Sequence, residues 1–451
     1  GQCVQREDQA ACAFTAEAVI PACTDAPPGT RLAACVHEHE PFPVNVTAFQ
    51  KDGKTPASAF AGGVSVAGTW GDAHLHDDKV LFKDGKAQIH VSLNRETIGQ
   101  SRARVIVRAG TGIGATQGLA VVAHKLSMDK DALLLPQGWA NLVTMMPNVV
   151  RDDAGGQRMY FAGVGVDGGM VKNGIGIATP GAIDSKPWQM QERPALGPPL
   201  GDFARDNVMG PAVYRATDGS WRMVFRGTNQ GSEIGDLGLA RSKDGLTGWE
   251  LVSTIPVLSH AACSFCMKGL DFPTILTDPA APPGTLDLYF TTGIINANTD
   301  ALGHAGSIDD GGTWDVDPIR VPFAGVQGQQ GEVVGAAQIV REGSVYKMFY
   351  AYLVSGIVLS AVLPCPSDLR LDIGYATSED GVLFIRSPSN PVMSGTPPWA
   401  SSAALVPGSP VLIDPANPAK GLLLFYSVVQ TVRLPVGGLC VPVGIARATR
   451  P

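Results

Sequence analysis

Short hydrophobic segments recur in a regular order along residues 125–451. A first segment such as "PNVVRD" (147–152) is followed by one with adjacent large or aromatic residues, such as "RMYFAG" (158–163). A segment of small residues such as "GIGIAT" (174–179) comes next, and a turn and a fourth segment end the unit. Short apolar runs bounded by Gly, Pro and Asp are typical of β-strands joined by turns. The pattern therefore predicts a unit of four strands.

This unit occurs five times. The second segment is marked at Tyr160, Val224, Tyr289, Phe349 and Phe425, which are 64, 65, 60 and 76 residues apart. Four strands repeated five times predict a five-bladed β-propeller over residues 124–451. The fifth copy lacks a fourth segment. We expect "KLSMDKDALLLP" (125–136) to supply this outer strand and so to cover the open edge.

Acidic, glycine-rich turns follow the third segment in several copies: "SKDGLTGW" (242–249), "SIDDGGTW" (307–314) and "SEDGVLF" (378–384). They resemble the Asp box of sialidase-type propellers, which is a structural turn on the outer rim. An aspartate side chain there accepts backbone N–H groups, and glycine permits positive φ. We therefore expect Asp309 and Asp310 to be structural, and the tryptophan to pack between blades.

Residues 42–123 alternate apolar and polar positions between Asp-Gly turns, which predicts a small antiparallel β-sandwich. The stretch "DGKAQIHVSLNRETIGQSRARVIVRAG" (84–110) resembles the bacterial Ig-like domains of invasin and intimin type. That resemblance implies an extracellular spacer without a catalytic role. The predicted fold class is all-β, with an N-terminal Ig-like β-sandwich followed by the five-bladed propeller.

Eight cysteines, an even number, point to disulfides and an oxidising compartment. Residues 1–41 are too short and polar for a core of their own, so we expect a segment held by disulfides of undetermined pairing among Cys3, Cys12, Cys23 and Cys35. Cys365 and Cys440 precede equivalent strands of neighbouring blades and are expected to pair. For Cys263 and Cys266 a local disulfide is favoured, with a soft-metal site including His260 and Met267, or free thiols, as alternatives.

The composition and charge of the chain restrict the classes of partner that it is expected to bind. The net charge is −7, the pI is about 5.6 and no basic cluster is present, which argues against nucleic acid. No run of 18 apolar residues occurs, so we expect no membrane span. We therefore expect a secreted or cell-surface protein. Its expected partner is a polysaccharide or glycan, with cell-surface or matrix association.

Ligands of propellers bind over the central axis, so the residues that lead into each first strand are candidates for chemistry. Three carboxylates enter from successive blades: Asp206, Asp271 and Glu332. Here the chain resembles the five-bladed glycosidases of glycoside hydrolase family 43 and the invertase/levansucrase group. The resemblance implies hydrolysis of a furanose- or pentose-containing polysaccharide. It implies Glu332 as general acid, with Asp271 and Asp206 as base and as the carboxylate that sets the acid's pKa.

One residue differs from the pattern of these glycosidases, and this difference supports an alternative function. Where the family carries its base Asp in the first blade, this chain has Asn148, which cannot take a proton. Either Asp206 replaces it, Asp152 turns inward, or the protein is not a hydrolase. The alternative is a noncatalytic glycan-binding or extracellular surface-assembly protein with a degenerate site.

Further side chains are expected to bind the substrate: Asn148, Asn207, Lys268, His304, Gln330 and Trp399. No cofactor is required and no metal-ligand set is assigned, although a structural divalent cation on the propeller axis is left open. His74 and His76, which are flanked by acids, could bind a divalent ion, but a solvated loop is the simpler interpretation.

Overall fold

The computed structural model describes residues 13–20, 35–50, 52–97, 101–110, 112–152, 154–180, 187–229, 234–292, 301–324, 335–353, 370–400, 404–414, 421–434 and 437–450, the side chains of 324, 353 and 431–441 excepted. In these residues the regular structure is β-strand, apart from one short 3-10 helix at His260–Ala262. No helix in this part of the chain is long and apolar enough to cross a membrane. The predicted all-β fold class is confirmed.

The N-terminal region is a pair of packed sheets. One has the order β1 (Ala13–Ala18), β3 (Phe42–Phe49), β6 (Lys86–Leu93) and β5 (Ala73–Leu75), and the other the order β4 (Ser65–Gly68), β7 (Val105–Ala109) and β8 (Gly112–Ala115). Alternate residues of both sheets share one core, in which Val44, Ile89 and Val107 are fully buried. The alternation that predicted a sandwich therefore marks the residues that face between the sheets.

Residues before position 42 belong to this sandwich as well. Strand β1 pairs antiparallel with β3 along its whole length. Strand β2 (Cys35–His37) pairs in parallel with β9 (Ala120–Val122). The described parts of segment 1–41 are thus hydrogen-bonded to residues after it, and the boundaries at 41/42 and 123/124 stay predictions.

Five sheets, four of them four-stranded and one five-stranded, make up the described residues after the sandwich. Blade one comprises β11 (Val143–Arg151), β12 (Gln157–Asp167), β13 (Met170–Thr179) and β14 (Gln189–Met190). Blade two comprises β15 (Asn207–Arg215), β16 (Trp221–Thr228), β17 (Asp236–Ser242) and β18 (Glu250–Leu251). Blade three comprises β19 (Leu270–Thr277), β20 (Leu286–Thr292), β21 (Ala301–Ser307) and β22 (Asp315–Val316).

Blade four comprises β24 (Gly335–Glu342), β25 (Val345–Leu353), β26 (Leu371–Ser378) and β27 (Phe384–Arg386), with β23 (Phe323–Ala324) added in parallel to β27. Blade five comprises β28 (Ala404–Leu412), β29 (Leu422–Leu434), β30 (Gly437–Arg450) and β10 (Ser127–Met128). Strand β10 precedes blade one in sequence but pairs with β30, with Ser127 opposite Thr449. The predicted closing strand is therefore confirmed.

The first strand of each blade lies innermost. These five strands contact one another in chain order, and β28 also contacts β11, so the ring is closed. The described sheets thus form a five-bladed propeller.

The paired large residues of the second strands are explained by this ring. Successive strand residues point to opposite faces, so each blade places one of the pair against each neighbour. Tyr160 packs in the core shared with blade two, while Phe161 packs in the core shared with blade five. Tyr289 and Phe290 divide in the same way between blades four and two. The two adjacent large residues of a second strand therefore fill the two cores that the blade shares with its neighbours.

The acidic turns also join blades. Asp309 Oδ1 accepts hydrogen bonds from Ser307 Oγ (2.8 Å) and Thr313 N (2.9 Å), and Gly311 N donates to Ser307 Oγ (3.0 Å). Tyr214 of the preceding blade donates its hydroxyl to the Asp310 carbonyl at 2.7 Å. Both acidic residues therefore take part: the Asp309 side chain closes the turn, and the Asp310 carbonyl links the turn to the preceding blade.

The same arrangement recurs in the next blade. Ser378 Oγ and Val382 N donate to Asp380 Oδ1, and Tyr289 OH of blade three donates to Gly381 O at 2.9 Å. Gly381 has φ +74°, and a Cβ at this position would lie 2.6 Å from the Tyr289 hydroxyl oxygen. The turn glycine is therefore needed both for its backbone conformation and for the approach of the tyrosine.

Buried ionic groups join the sandwich to blades four and five. Glu38, just after β2, lies with its carboxylate 3.9 Å from both Lys347 Nζ and Arg450 Nη1. Glu342, at the end of β24, lies 3.4 Å from Lys347 Nζ and 2.8 Å from Arg450 Nη2. All four side chains are almost fully buried. Two carboxylates and two cations thus compensate one another in a buried interface.

A third carboxyl group adjoins this cluster. Glu96 is 2% exposed; its N–H donates to Glu38 Oε1 at 2.8 Å, and Ser389 Oγ donates to Glu96 Oε1 at 2.6 Å. Burial, and then the charge of Glu38, raise the pKa of Glu96 to about 7. The interface therefore contains a carboxyl group that titrates near neutral pH.

The disulfide predictions have mixed outcomes. Cys263 and Cys266 form the predicted local disulfide, with Cα atoms 5.1 Å apart, so the metal and free-thiol alternatives are wrong for this pair. Cys35 is disulfide-bonded. Disulfides are also predicted for Cys3, Cys12, Cys23 and Cys365, which lie outside the described residues, as does the side chain of Cys440.

Candidate functional site at the channel mouth

Each inner strand carries a bulge at the same position. The pairing with the second strand shifts between Met145 and Asn148, Met209 and Ala212, Asp271 and Thr274, Gly335 and Gln338, and Pro407 and Pro410. In four blades the residue directly after the first member of the pair has positive φ: Met146, Gly210, Phe272 and Ala336. Such conformations and bulges are common beside binding sites, because they redirect side chains. The bulges therefore mark five equivalent points around the axis.

Only one of these points carries a charged residue. The residues just before the bulge are Met145, Met209, Asp271, Gly335 and Pro407. Beside these points lies a buried apolar cluster that includes Phe272 and Val406, with Met146 packed against it. Asp271 is therefore the one charged residue among the five equivalent points.

Asp271 is held at the start of β19 with its side chain nearly buried. Its Oδ1 accepts a hydrogen bond from Phe272 N at 2.8 Å, and its Oδ2 lies 3.7 Å from Arg226 Nε. A Cβ placed on Gly210 would lie 3.5 Å from Oδ1, so blade two approaches this carboxyl group closely. Burial raises the pKa of Asp271, and Arg226 opposes that shift.

Arg226 comes from the second strand of blade two and is 6% exposed. Its Nη1 lies 3.1 Å from Met209 Sδ. A Cβ on Gly235 would lie 2.3 Å from Arg226 Nε, so this glycine makes room for the guanidinium. The result is an arginine–aspartate pair that spans blades two and three beside the axis.

Sequence reasoning missed Arg226, although a signal was present. Arg226 pairs with Met209 across β15 and β16, and the residues at the same register in other blades are Ala162, Thr291, Ala351 and Tyr426. Arg226 is the charged member of that set. Comparing equivalent positions of the repeats would have singled it out together with Asp271.

Asp206 lies at the same end of its blade as Asp271. It precedes β15, is half-buried, and donates its N–H to Thr228 O at 3.1 Å. Its carbonyl accepts a hydrogen bond from Asn173 Nδ2 at 2.7 Å. Glu332 and Gln330 lie outside the described residues. Convergence of the three predicted carboxylates therefore stays a prediction.

Asn148 has a contact that explains its presence. Its Oδ1 accepts a hydrogen bond from Val213 N of blade two at 3.0 Å. Ser409 forms a comparable link from blade five to blade one, accepting from Val149 N at 2.9 Å. In the structure, Asn148 thus stabilises the ring of inner strands, and a role in binding substrate stays a prediction.

The other residues predicted to bind the substrate lie in different parts of the propeller. Asn207 begins β15 and is half-buried, whereas Lys268 is exposed in the loop before β19. His304, on the third strand of blade three, has its Nδ1 2.9 Å from Asp317 Oδ2 and its Nε2 3.3 Å from Asp287 Oδ1.

Both ring nitrogens of His304 are thus engaged by carboxylates, and these contacts raise its pKa against the effect of burial. Trp399 packs against the core shared by blades four and five, with its ring near the position of a Cβ on Gly444. A part for either side chain in glycan binding stays a prediction.

Searches for related proteins add the following. No family model and no curated protein matches the sequence. A thermostable family-43 glycoside hydrolase has a TM-score of 0.48 at 16% identity, over 69% of this chain and 92% of its own. A glycosyl hydrolase from Bacteroides ovatus has a TM-score of 0.47 at 16% identity, over 72% and 91%.

An endo-1,4-beta-xylanase from Bacteroides thetaiotaomicron has a TM-score of 0.44 at 14% identity, over 70% of this chain and 98% of its own. At these identities and TM-scores the likeness concerns the fold alone. The propeller itself is seen in the five sheets of this chain.

Proposed function

We propose that this protein acts on a glycan at the mouth of the propeller channel, as a glycoside hydrolase of furanose- or pentose-containing polysaccharides. The observation that carries the proposal is the buried pair of Asp271 and Arg226, placed at one of five equivalent points beside the axis. A guanidinium and a carboxyl group side by side offer several donors and acceptors in fixed directions, which suits the adjacent hydroxyl groups of a sugar.

Hydrolysis requires two carboxyl groups with different protonation states. Burial raises the pKa of Asp271, but Arg226 opposes that shift and favours the ionised carboxylate that a base or a pKa-setting group requires. Asp206, half-buried at the same end of the neighbouring blade, is the other predicted carboxylate among the described residues. We propose that Glu332 protonates the leaving oxygen, and that Asp271 and Asp206 supply the base and the group that sets the acid's pKa. Secretion is proposed as well, since the Cys263–Cys266 disulfide suits an oxidising compartment.

A second function is favoured by a specific observation. Asn148, which replaces a carboxylate of the glycosidases, is engaged in an interblade hydrogen bond, and Asp271 is partly neutralised by Arg226. These contacts suit a protein that holds a glycan without cleaving it. The two functions share the site and differ in whether a second carboxyl group takes part.

One experiment distinguishes them. Release of reducing sugar and binding in affinity electrophoresis would be measured on arabinan, xylan, fructan and galactan. Asp271→Asn, Glu332→Gln and Asp206→Asn would be compared with the parent, and Asp218→Asn, an exposed aspartate in the turn at the other end of β15, would be the control. Loss of a catalytic carboxyl group is expected to lower the rate about 10²–10⁴-fold.

Release by the parent and by Asp218→Asn, but not by Asp271→Asn, supports the hydrolase. Binding without release, lost in Asp271→Asn, supports the noncatalytic protein. If the folded parent neither cleaves nor binds any of the four polymers, or if Asp271→Asn behaves like the parent, the channel mouth is not a glycan site.

A further inference from the structure

Three histidines lie on the outer face of the first sandwich sheet. His74 is in β5 and His76 follows it directly, so the two side chains project to the same face. Their ring centroids are 4.7 Å apart. His90, in the neighbouring strand β6, is opposite His76, whose N–H donates to the His90 carbonyl at 2.9 Å.

The register decides that all three rings share that face. Directly opposite residues of an antiparallel pair point to the same side of the sheet. Ile89 and Val91, the neighbours of His90 in β6, are fully buried in the sandwich core, whereas the His90 side chain is 47% exposed. The three imidazoles therefore face solvent together.

Two further side chains orient the rings. Asp77 Oδ1 lies 3.2 Å from His90 Nδ1, and Ser92 Oγ lies 2.9 Å from His76 Nε2. A carboxylate that holds one ring nitrogen leaves the other for a ligand, which is how histidines that bind metals are usually supported.

We propose that His74, His76 and His90 form a binding site for a divalent transition-metal ion, with Zn²⁺ as its representative. Imidazole nitrogens select ions of this kind over Mg²⁺ and Ca²⁺, which prefer oxygen ligands. As they stand, no three histidine, cysteine, aspartate or glutamate side chains of the described residues are arranged to hold a metal. Binding of the ion therefore requires the three rings to rotate toward a common point, while the sheet register keeps their backbones in place.

The test is titration of the full, untagged chain with ZnCl₂ by isothermal calorimetry, after treatment with a chelator that is then removed. One ion per chain with a micromolar dissociation constant is expected. His76→Gln and, separately, His74→Gln should weaken binding roughly tenfold or more, and Asp77→Asn should weaken it roughly tenfold through loss of ring orientation. Circular dichroism would confirm that each variant is folded.

His37→Gln is the matched control, because His37 stacks on His124 at a ring-centroid distance of 4.8 Å, outside the cluster. It should bind Zn²⁺ as the parent does, and Co²⁺ should give a visible d–d absorption band in the parent that His76→Gln lacks. The proposal is overturned if the parent does not bind at 1 mM Zn²⁺, if His37→Gln loses binding equally, or if both cluster variants bind normally.

Discussion

Glu96 makes the junction of sandwich and propeller sensitive to pH. The side chain is buried against Glu38 and Ser389, and burial is the main reason that its pKa rises from 4.5 to about 7. A group whose pKa is higher in the folded than in the unfolded state stabilises the fold fully at low pH. That contribution is lost as pH rises from about 4.5 to about 7. Replacement by glutamine, Glu96→Gln, removes this titration and retains a polar side chain of similar size.

The magnitude follows from the shift. A rise of about 2.5 pKa units corresponds to about 3 kcal/mol between the two protonation states. Most of this change falls between pH 5 and pH 8, where the unfolded chain has released the proton and the folded chain is releasing it. Relative to the parent, Glu96→Gln should therefore become more stable by about 2–3 kcal/mol as pH rises from 5 to 8.

The assay is urea denaturation of parent and variant at pH 5, 6, 7 and 8, followed by circular dichroism. Titration of groups that do not interact with Glu96 cancels in the difference between the two proteins. Glu250→Gln is the control, since Glu250 is an exposed glutamate paired with Arg241, and its difference from the parent should not change by more than about 0.5 kcal/mol. A difference for Glu96→Gln that is flat or falls with pH would refute the reasoning.

Three further outcomes are expected from the same denaturation measurement at pH 7. Lys347→Met should lower the free energy of unfolding by about 3–5 kcal/mol, because Glu342 and Glu38 would stay buried with one cation fewer; a neutral effect would show that the cluster is hydrated. Tyr289→Phe should cost about 1 kcal/mol by removing the hydroxyl that bonds to Gly381 O while the ring stays packed. Gly381→Ala should cost at least about 1–2 kcal/mol, since its φ is +74°; a smaller loss than in Tyr289→Phe would contradict the predicted crowding.

Repetition is what allowed the propeller to be predicted. Each blade is a local sequence of four short strands, so its pattern of large, small and turn residues is present in a continuous stretch. The closing role of residues 125–136 followed from the missing fourth strand of the last copy, and β10 confirms it. The local disulfide between Cys263 and Cys266 was likewise evident from nearby residues.

The candidate site was only partly predictable. Asp271 was singled out because it leads into an inner strand, but its partner Arg226 lies in another blade, 45 residues earlier in the chain. Asn148 is predicted to contact substrate, and its additional link to Val213 depends on how two blades pack. These two polar contacts join residues that are distant in sequence, whereas the interblade cores are marked by large residues that recur in every blade.

The sequence by itself determined the strands, their order and the residues that fill the spaces between blades, since hydrophobic burial at a period of two is a property of each strand. Only the tertiary structure decided which charged groups meet. It brought Glu38 and Glu342 to Arg450 and Lys347, and Arg226 to Asp271. A buried charge requires a partner within a few ångströms, and ring closure and domain contact set those distances.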